Sequence, residues 1–325
     1  MPRAVALLIG FGCTALVAGA VALMVGSLPL SPARVITALF GQGDELARQV
    51  IWTVRLPRAL AAFAVGGLLA VAGALMQVML RNPLADPYVL GVSGGAAVAA
   101  LMGLMAGLGS QQIALPAFAG ALGSTALVFG LARGGGDWNP SRLLLSGIGL
   151  AAGWGALVSF LLALADPSRL PGMLFWLMGD LGAVARPPWL ALAVLAVLAV
   201  LALPLGRSLN VLARGSLQAQ TLGVPVQRLQ PMIHGLAALA TALAVTVAGS
   251  VGFVGLVVPH LLRLAIGNDQ RLLIPAAALV GGTLLVLADT LARTLVAPQQ
   301  LPVGVVTALL GVPVFLYLLN RRGHS

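Results

Sequence analysis

Uninterrupted apolar runs constrain this chain more than any other feature. After Arg3, the residues from Ala4 to Gly26 carry no charged side chain, a run of 23 residues. As a helix rising about 1.5 Å per residue, such a run crosses a hydrocarbon core about 30 Å thick. It reads as a retained span with Arg3 holding the N-terminus inside, rather than as a cleaved signal peptide. Similar, nearly uncharged runs recur at 59–80, 88–109, 113–132, 143–165, 188–206, 232–250, 253–267, 273–292 and 303–320. The chain is 60% hydrophobic and 8% charged, whereas soluble domains carry about 25% charged residues. So little polar surface cannot coat a soluble body of 325 residues, and the bilayer is the fitting solvent. The expectation is an all-α polytopic membrane protein of ten transmembrane helices, one transmembrane domain over 1–325 with both termini inside.

The stretch 232–267 is too long for one span, and Gly249-Ser250-Val251-Gly252 is its natural break. Its second piece is short and holds Pro259, His260 and Arg263, which places part of it inside protein rather than lipid. Small residues such as Gly66-Gly67, Gly73 and Gly281-Gly282 let helices approach closely. A faint repeat is also legible: Val71-Ala72-Gly73 is followed ten residues on by Pro83, and Val247-Ala248-Gly249 by Pro259. The first lies on a span running inward and the second on one running outward. That is the arrangement of an inverted-topology repeat, which sets a path near the repeat interface.

All 18 basic residues are arginine. A P-loop needs a lysine on the nucleotide phosphates, so ATP hydrolysis by that route is excluded. The net charge of +10 sits between apolar runs and reads as a topology signal, not as a nucleic-acid surface. The orientation leaves eleven arginines inside, Arg133 among them, and seven outside: Arg34, Arg48, Arg55, Arg58, Arg169, Arg186 and Arg293. The bias supports the orientation, and the outer arginines need a reason. Cys13 is a lone cysteine and reads as a packed small residue. His234 and His260 lack partners at ligand spacing and read as structural, so neither a metal site nor a cofactor is expected.

Helix breakers gather at Arg81-Asn82-Pro83-Leu84-Ala85-Asp86-Pro87-Tyr88-Val89-Leu90-Gly91-Val92-Ser93-Gly94-Gly95. Two prolines end the preceding helix, and polar backbone there must be satisfied within protein or at water. Alone, the run reads equally as a tight turn. It also resembles the signature of the FecCD family of permeases, which import iron–siderophore complexes, haem and cobalamin. The resemblance continues through Val54-Arg55-Leu56-Pro57-Arg58, Gly252-Phe253-Val254-Gly255-Leu256-Val257-Val258-Pro259-His260 and Leu301-Pro302-Val303-Gly304-Val305-Val306-Thr307. It implies a permease subunit, not an enzyme, of an ATP-binding-cassette importer moving a bulky metal chelate from periplasm to cytoplasm. The implied setting is the bacterial inner membrane. The implied partners are a second copy, two ATPase subunits inside and a substrate-binding protein outside.

The resemblance also assigns roles. Arg55, Arg58 and Arg293 become docking groups, since a guanidinium holds a partner's carboxylate bidentately; snorkelling to the interface is the plainer reading. The polar segment 207–230 becomes the coupling segment, with Arg214, Gly215, Leu217, Ala219, Leu222 and Gly223 on or beside a short helix. Ser216 is its expected cap, and Gly223 with Pro225 its expected end. Asn82, Pro83 and Ser93, with Ser146, Gly147 and Trp154 on the fifth span, are candidates for the path or its gate. The 166–187 region resembles the family's outer gate helix.

An ion-driven secondary transporter is the alternative. Its mark is an ionisable residue inside a span, and Asp289 is the main candidate. Asp289 also stands four residues before Arg293, the spacing for pairing along one helix face. The ordered motifs favour the importer. Carriers of haem, ferric siderophores and cobalamin share them, so the class of cargo is legible and its member is not.

Overall fold

The computed structural model describes residues 2–26, 28–109, 112–132 and 140–322; Arg133 lies outside them. The described residues form fourteen α-helices and no strand. The first half holds α1 (Pro2–Met24), α2 (Pro32–Leu39), α3 (Glu45–Gln49), α4 (Leu56–Met79), α5 (Val92–Met105), α6 (Ala114–Ala132) and α7 (Pro140–Leu164). The second holds α8 (Leu170–Met178), α9 (Trp189–Leu212), α10 (Ser216–Thr221), α11 (Val226–Ala248), α12 (Val254–Ile266), α13 (Gln270–Thr294) and α14 (Val303–Arg322). Seven helical stretches are long and apolar enough to cross a membrane, and three shorter apolar helices (α5, α12 and α14) complete the ten expected spans.

The centre of the fold is α4, in which every residue from Ala64 to Met79 is buried. It packs against α13, α11, α12 and α9. Lipid tails are as apolar as leucine, so helices in a bilayer associate through close packing rather than by escaping water. Glycine supplies the closeness. A Cβ on Gly66 would lie 2.2 Å from the Gly281 carbonyl oxygen on α13, and one on Gly73 would lie 1.8 Å from the Gly255 carbonyl oxygen on α12. The pair α5 and α6 meets in the same way at Gly95 and Gly120.

The helix leading into α4 begins earlier than the apolar run did. Helix α3 continues through a π-helical turn, Val50–Arg55, directly into α4. Pro57 falls in the first turn of α4, where its missing N–H costs least. Helices α2 and α3 cover a small separate core of Leu23, Leu30, Val35, Ala38, Ala47 and Ile51. Ser31 and Asp44 cap them through their side chains, and the Trp52 indole N–H donates to the Ala38 carbonyl at 3.0 Å.

On the side the arginine bias assigns to the interior, the inner side, α9 runs on to Leu212 and α11 starts at Val226. The connector is therefore 213–225, narrower than the expected polar segment 207–230. Ala213 caps the end of α9 and Pro225 the start of α11, while Gly215, at φ +136°, starts α10 between them. The two triplets of the faint repeat sit in different settings. Val71–Gly73 is inside α4, whereas Gly249 ends α11 at φ +67°. The repeat thus has no counterpart in matching local backbone.

Replacing Gly73 by alanine drives a methyl group into rigid backbone on α12. Overpacking of this kind costs about 1–3 kcal/mol or more, so Gly73→Ala should lower the Tm of the purified protein. Gly12→Ala, with nothing within 4 Å, should leave Tm unchanged or slightly raised.

Candidate functional site

At the end of the bundle opposite α10, the end the arginine bias assigns to the outside, three arginines and one aspartate join α1, α4 and α13. The Nε of Arg58 donates to both Asp289 carboxylate oxygens at 3.0 Å, and its Nη2 lies 2.9 Å from Oδ1. The remaining arm, Nη1, donates to Gln300 Oε1 at 2.7 Å. Arg293 Nε stands 3.2 Å from Asp289 Oδ2, close enough to pair but off the hydrogen-bond direction. Its Nη2 donates to the Ala22 carbonyl at 3.2 Å. Arg55 Nη1 donates to the carbonyls of Leu23 at 2.6 Å and Met24 at 3.1 Å, and Nη2 reaches Leu28. The last carbonyls of a helix have no partner within it and favour a cation. Arg55 and Arg293 fill that need for α1. Arg55 and Arg58 are only 4% and 5% exposed, so both are committed inside the fold, while Arg34, Arg48, Arg169 and Arg186 stand exposed.

Deeper in the bundle, the helix breaks are tied to one another. Asp86 Oδ1 accepts from the Tyr88 amide at 2.7 Å and starts a 3-10 turn, Pro87–Leu90. The Tyr88 hydroxyl donates to the Val251 carbonyl and accepts from the Val251 amide, both at 3.0 Å. This locks the break after α4 to the break after α11. An open cavity of about 470 Å³ lies beside the tie, lined by Asp86, Tyr88, Gly147, Ile148, Ala151 and the Gly252–Phe253 backbone turn. Above it, the Trp154 indole donates to Ser124 Oγ and Ser124 donates to the Gly91 carbonyl, each at 2.7 Å. Helix α8 sits on the outer break: Asp180 N donates to the Ala248 carbonyl at 2.8 Å, and a Cβ on Gly179 would meet the Ser250 carbonyl oxygen at 2.6 Å.

On the inner side, α10 buries its middle and exposes both ends. Leu217 is 77% and Leu222 64% exposed, while Ala219 is fully buried. The chain leaves through Gly223 at φ +79°. Ser216 does not cap α10; the cap is Gly215, and the Ser216 hydroxyl accepts from Gln230 Nε2 at 3.3 Å. The left-handed entry that glycine permits sets the start without a side-chain bond. Beside α10, the inner ends of α4, α9, α12 and α13 surround a cavity of about 570 Å³. Its aspartate, Asp269, is engaged already. Hydrogen bonds from Arg271, opposed by burial and aided by Asn210, hold its carboxyl at about 2.

Against known proteins, the profile of the FecCD transport family matches residues 14–321. The chain belongs to the FecCD transport family. Among its relatives, the hemin transport system permease protein of Yersinia pestis is 43% identical over 311 residues, covering 91% of this chain and 90% of that one. The cobalamin import system permease protein of Halobacterium salinarum is 43% identical over 283 residues, 86% of this chain and 75% of that one. The vitamin B12 import system permease protein of Escherichia coli O127:H6 is 40% identical over 278 residues, 84% of each. A solved structure described as an inward-facing, metal-chelate type ABC transporter superposes with a TM-score of 0.86 at 31% identity. It covers 99% of this chain and 100% of that one. PsaBC from Streptococcus pneumoniae, at 17% identity and a TM-score of 0.55 over 87% of this chain and 94% of that one, shares the fold alone.

Within this FecCD chain, Arg58 and Arg293 come together on Asp289, while Arg55 serves the end of α1. Gly147 lines the middle cavity, and Pro83 and Arg214 line the inner one. Ser93 and Ser146 are half-buried, Asn82 is exposed with Oδ1 accepting from the Leu84 amide, and the polar edge of Trp154 is used by Ser124. His234 and His260 are both buried, with the His234 ring 5.1 Å from that of Phe129. The sequence reading missed Tyr88, Gln300 and Gln77, whose Oε1 accepts from Arg263 at 2.8 Å. Tyr88 stands in the quoted signature, where a phenol beside a helix break is a signal for a tether.

Asp289→Asn removes the carboxylate from two guanidiniums that have little access to water. Breaking a buried pair costs about 3–5 kcal/mol, so this variant should unfold at distinctly lower temperature or denaturant concentration. Arg293→Gln, which leaves the Arg58 fork intact, should cost less. Unchanged stability in Asp289→Asn would contradict the clamp.

Proposed function

We propose that the chain is the transmembrane subunit of an ATP-binding-cassette importer that carries a bulky metal chelate inward, powered by separate ATPase subunits. The cargo class is supported by relatives named for hemin and cobalamin at 43% identity, and by a 31% identical neighbour of metal-chelate type. The observation that carries the coupling role is α10. It is a short helix fixed by buried Ala219, with Leu217 and Leu222 projecting on the inner side. Exposed leucines on a polar connector suit a groove in a partner, and two such helices, one per copy, suit two ATPase subunits.

A homodimer in the bacterial inner membrane completes the reading. Helix α7 exposes Leu145, Ile148, Leu157 and Phe160. The cavity at Gly147 opens beside the same helix. A second copy packed there turns the half-open cavity into an axial path. Outside, a periplasmic binding protein docks where Arg55, Arg58 and Arg293 leave two positive charges unbalanced by Asp289. Gln300 is exposed and neutral, so a partner's carboxylate can replace it on Arg58 Nη1 and gain a charge-assisted bond. The exposed arginines add long-range attraction. Both carboxylate oxygens of Asp289 are taken up by arginines, so it is a structural partner here rather than an open ion site, which weighs against the ion-driven alternative.

The test is coupling. The purified chain alone should hydrolyse ATP only at background rate, and the complex with its ATPase should be active. Leu217→Asp with Leu222→Asp should abolish ATPase association in pull-down while the chain still inserts and melts as before. Full association of the double variant, or robust hydrolysis by the chain alone, would defeat the proposal.

A further inference from the structure

Besides Pro83 and Arg214, already named for the path and for coupling, the inner cavity of about 570 Å³ is lined by charged groups that neither role uses. Its wall is unusually basic for a chain this poor in charge: Arg81, Arg214 and Arg263 face one carboxylate, Asp269. That carboxylate is bridged by Arg271 at 2.8 Å and accepts from Asn210 at 2.9 Å. The field inside the cavity is therefore positive. Arg81 and Arg214 are exposed, so their guanidiniums remain reachable. Arg81 Nη1 would stand 3.7 Å from a Cβ on Gly215, which puts it against the root of α10.

Two further observations point to a ligand. Arg81 has φ +49°, a left-handed conformation that side chains other than glycine, asparagine or aspartate rarely adopt. Glycine would end α4 there without strain, and retained strain of this kind gathers at ligand sites. Second, Gln270 lines the cavity, is 1% exposed, and keeps a side-chain oxygen with no hydrogen-bond partner among the described residues. A buried acceptor without a donor is costly. A ligand hydroxyl would satisfy it.

We propose that this cavity binds a phosphate ester carrying a free hydroxyl, with the guanidiniums of Arg81 and Arg214 on the phosphate and Gln270 accepting from the hydroxyl. Arginine's planar fork of donors matches phosphate oxygens bidentately. The cavity sits where four span ends meet the inner boundary of the membrane, the level at which basic pockets meet anionic headgroups. A glycerophosphate group satisfies the chemistry whether it belongs to a lipid headgroup or to a soluble ester.

The test uses the full chain in detergent, with native mass spectrometry and thermal melting as readouts. The probes are dioctanoyl phosphatidylglycerol, glycerol 3-phosphate and, as a zwitterionic control, dioctanoyl phosphatidylcholine. At least one of the first two should bind and raise the melting temperature. Phosphatidylglycerol alone binding identifies a lipid site, and glycerol 3-phosphate binding identifies a soluble ligand. Arg81→Gln combined with Arg214→Gln should weaken binding roughly tenfold or more, and each single change several-fold, so the result does not depend on the double variant folding. Arg34→Gln with Arg48→Gln, at the other end, should change nothing. If neither phosphate probe binds wild type, if the phosphatidylcholine control binds as well as phosphatidylglycerol, or if binding survives loss of Arg81 and Arg214, the site does not exist.

Discussion

The close approach of α4 to its neighbours is the constraint on which the other features depend. A helix with every side chain from Ala64 to Met79 buried has no lipid-facing stripe, so other helices must enclose it on all sides. In a bilayer the enclosure is held by contact alone. Gly66 against Gly281 and Gly73 against Gly255 bring backbones together at distances that no side chain allows. Once α4 is enclosed, its two ends become fixed points. The outer end carries Arg55 and Arg58 to α1 and α13, and the inner end carries Arg81 to the cavity beside α10.

Charge is placed at these ends and scarcely anywhere between. Two arginines on Asp289 tie α4 to α13 and α1 and leave the outer face positive. At the inner end, Asp269 is satisfied by Arg271 and Asn210 and Arg263 donates to Gln77, while Arg81 and Arg214 stand exposed at the same cavity. Between the two lies the tether from Tyr88 to Val251, joining two helix breaks at the level of the middle cavity. Helix α10 is held by α9 and α11, its neighbours in the chain, and α9 and α11 both pack on α4.

The seven long spans were legible because a nearly uncharged run of membrane length has few other uses, while α5, α12 and α14 are shorter and showed only as apolar pieces between helix breaks. The Asp289–Arg293 pair was legible because four residues make one helical turn. The Arg58–Asp289 pair was not, since its partners stand 231 residues apart and nothing local signals them. The burial of Arg55 was hidden for the same reason: its acceptors are the free carbonyls of α1, which exist only once α1 and α4 are side by side. Helices α2 and α3 left local signals in Ser31-Pro32 and Asp44, but a reading tuned to membrane-length runs passes over helices this short. Ser216 has the chemistry of a cap but stands next to a glycine that supplies the cap by conformation instead.

The central claim is ATP-driven import of a metal chelate. The most direct measurement is uptake into proteoliposomes holding the chain with its ATPase, with the binding protein outside and ATP inside. Haem, a ferric siderophore and cobalamin are offered in turn. The account predicts that at least one accumulates with ATP and none without it. Accumulation driven by a proton or sodium gradient, in liposomes lacking the ATPase, would contradict it.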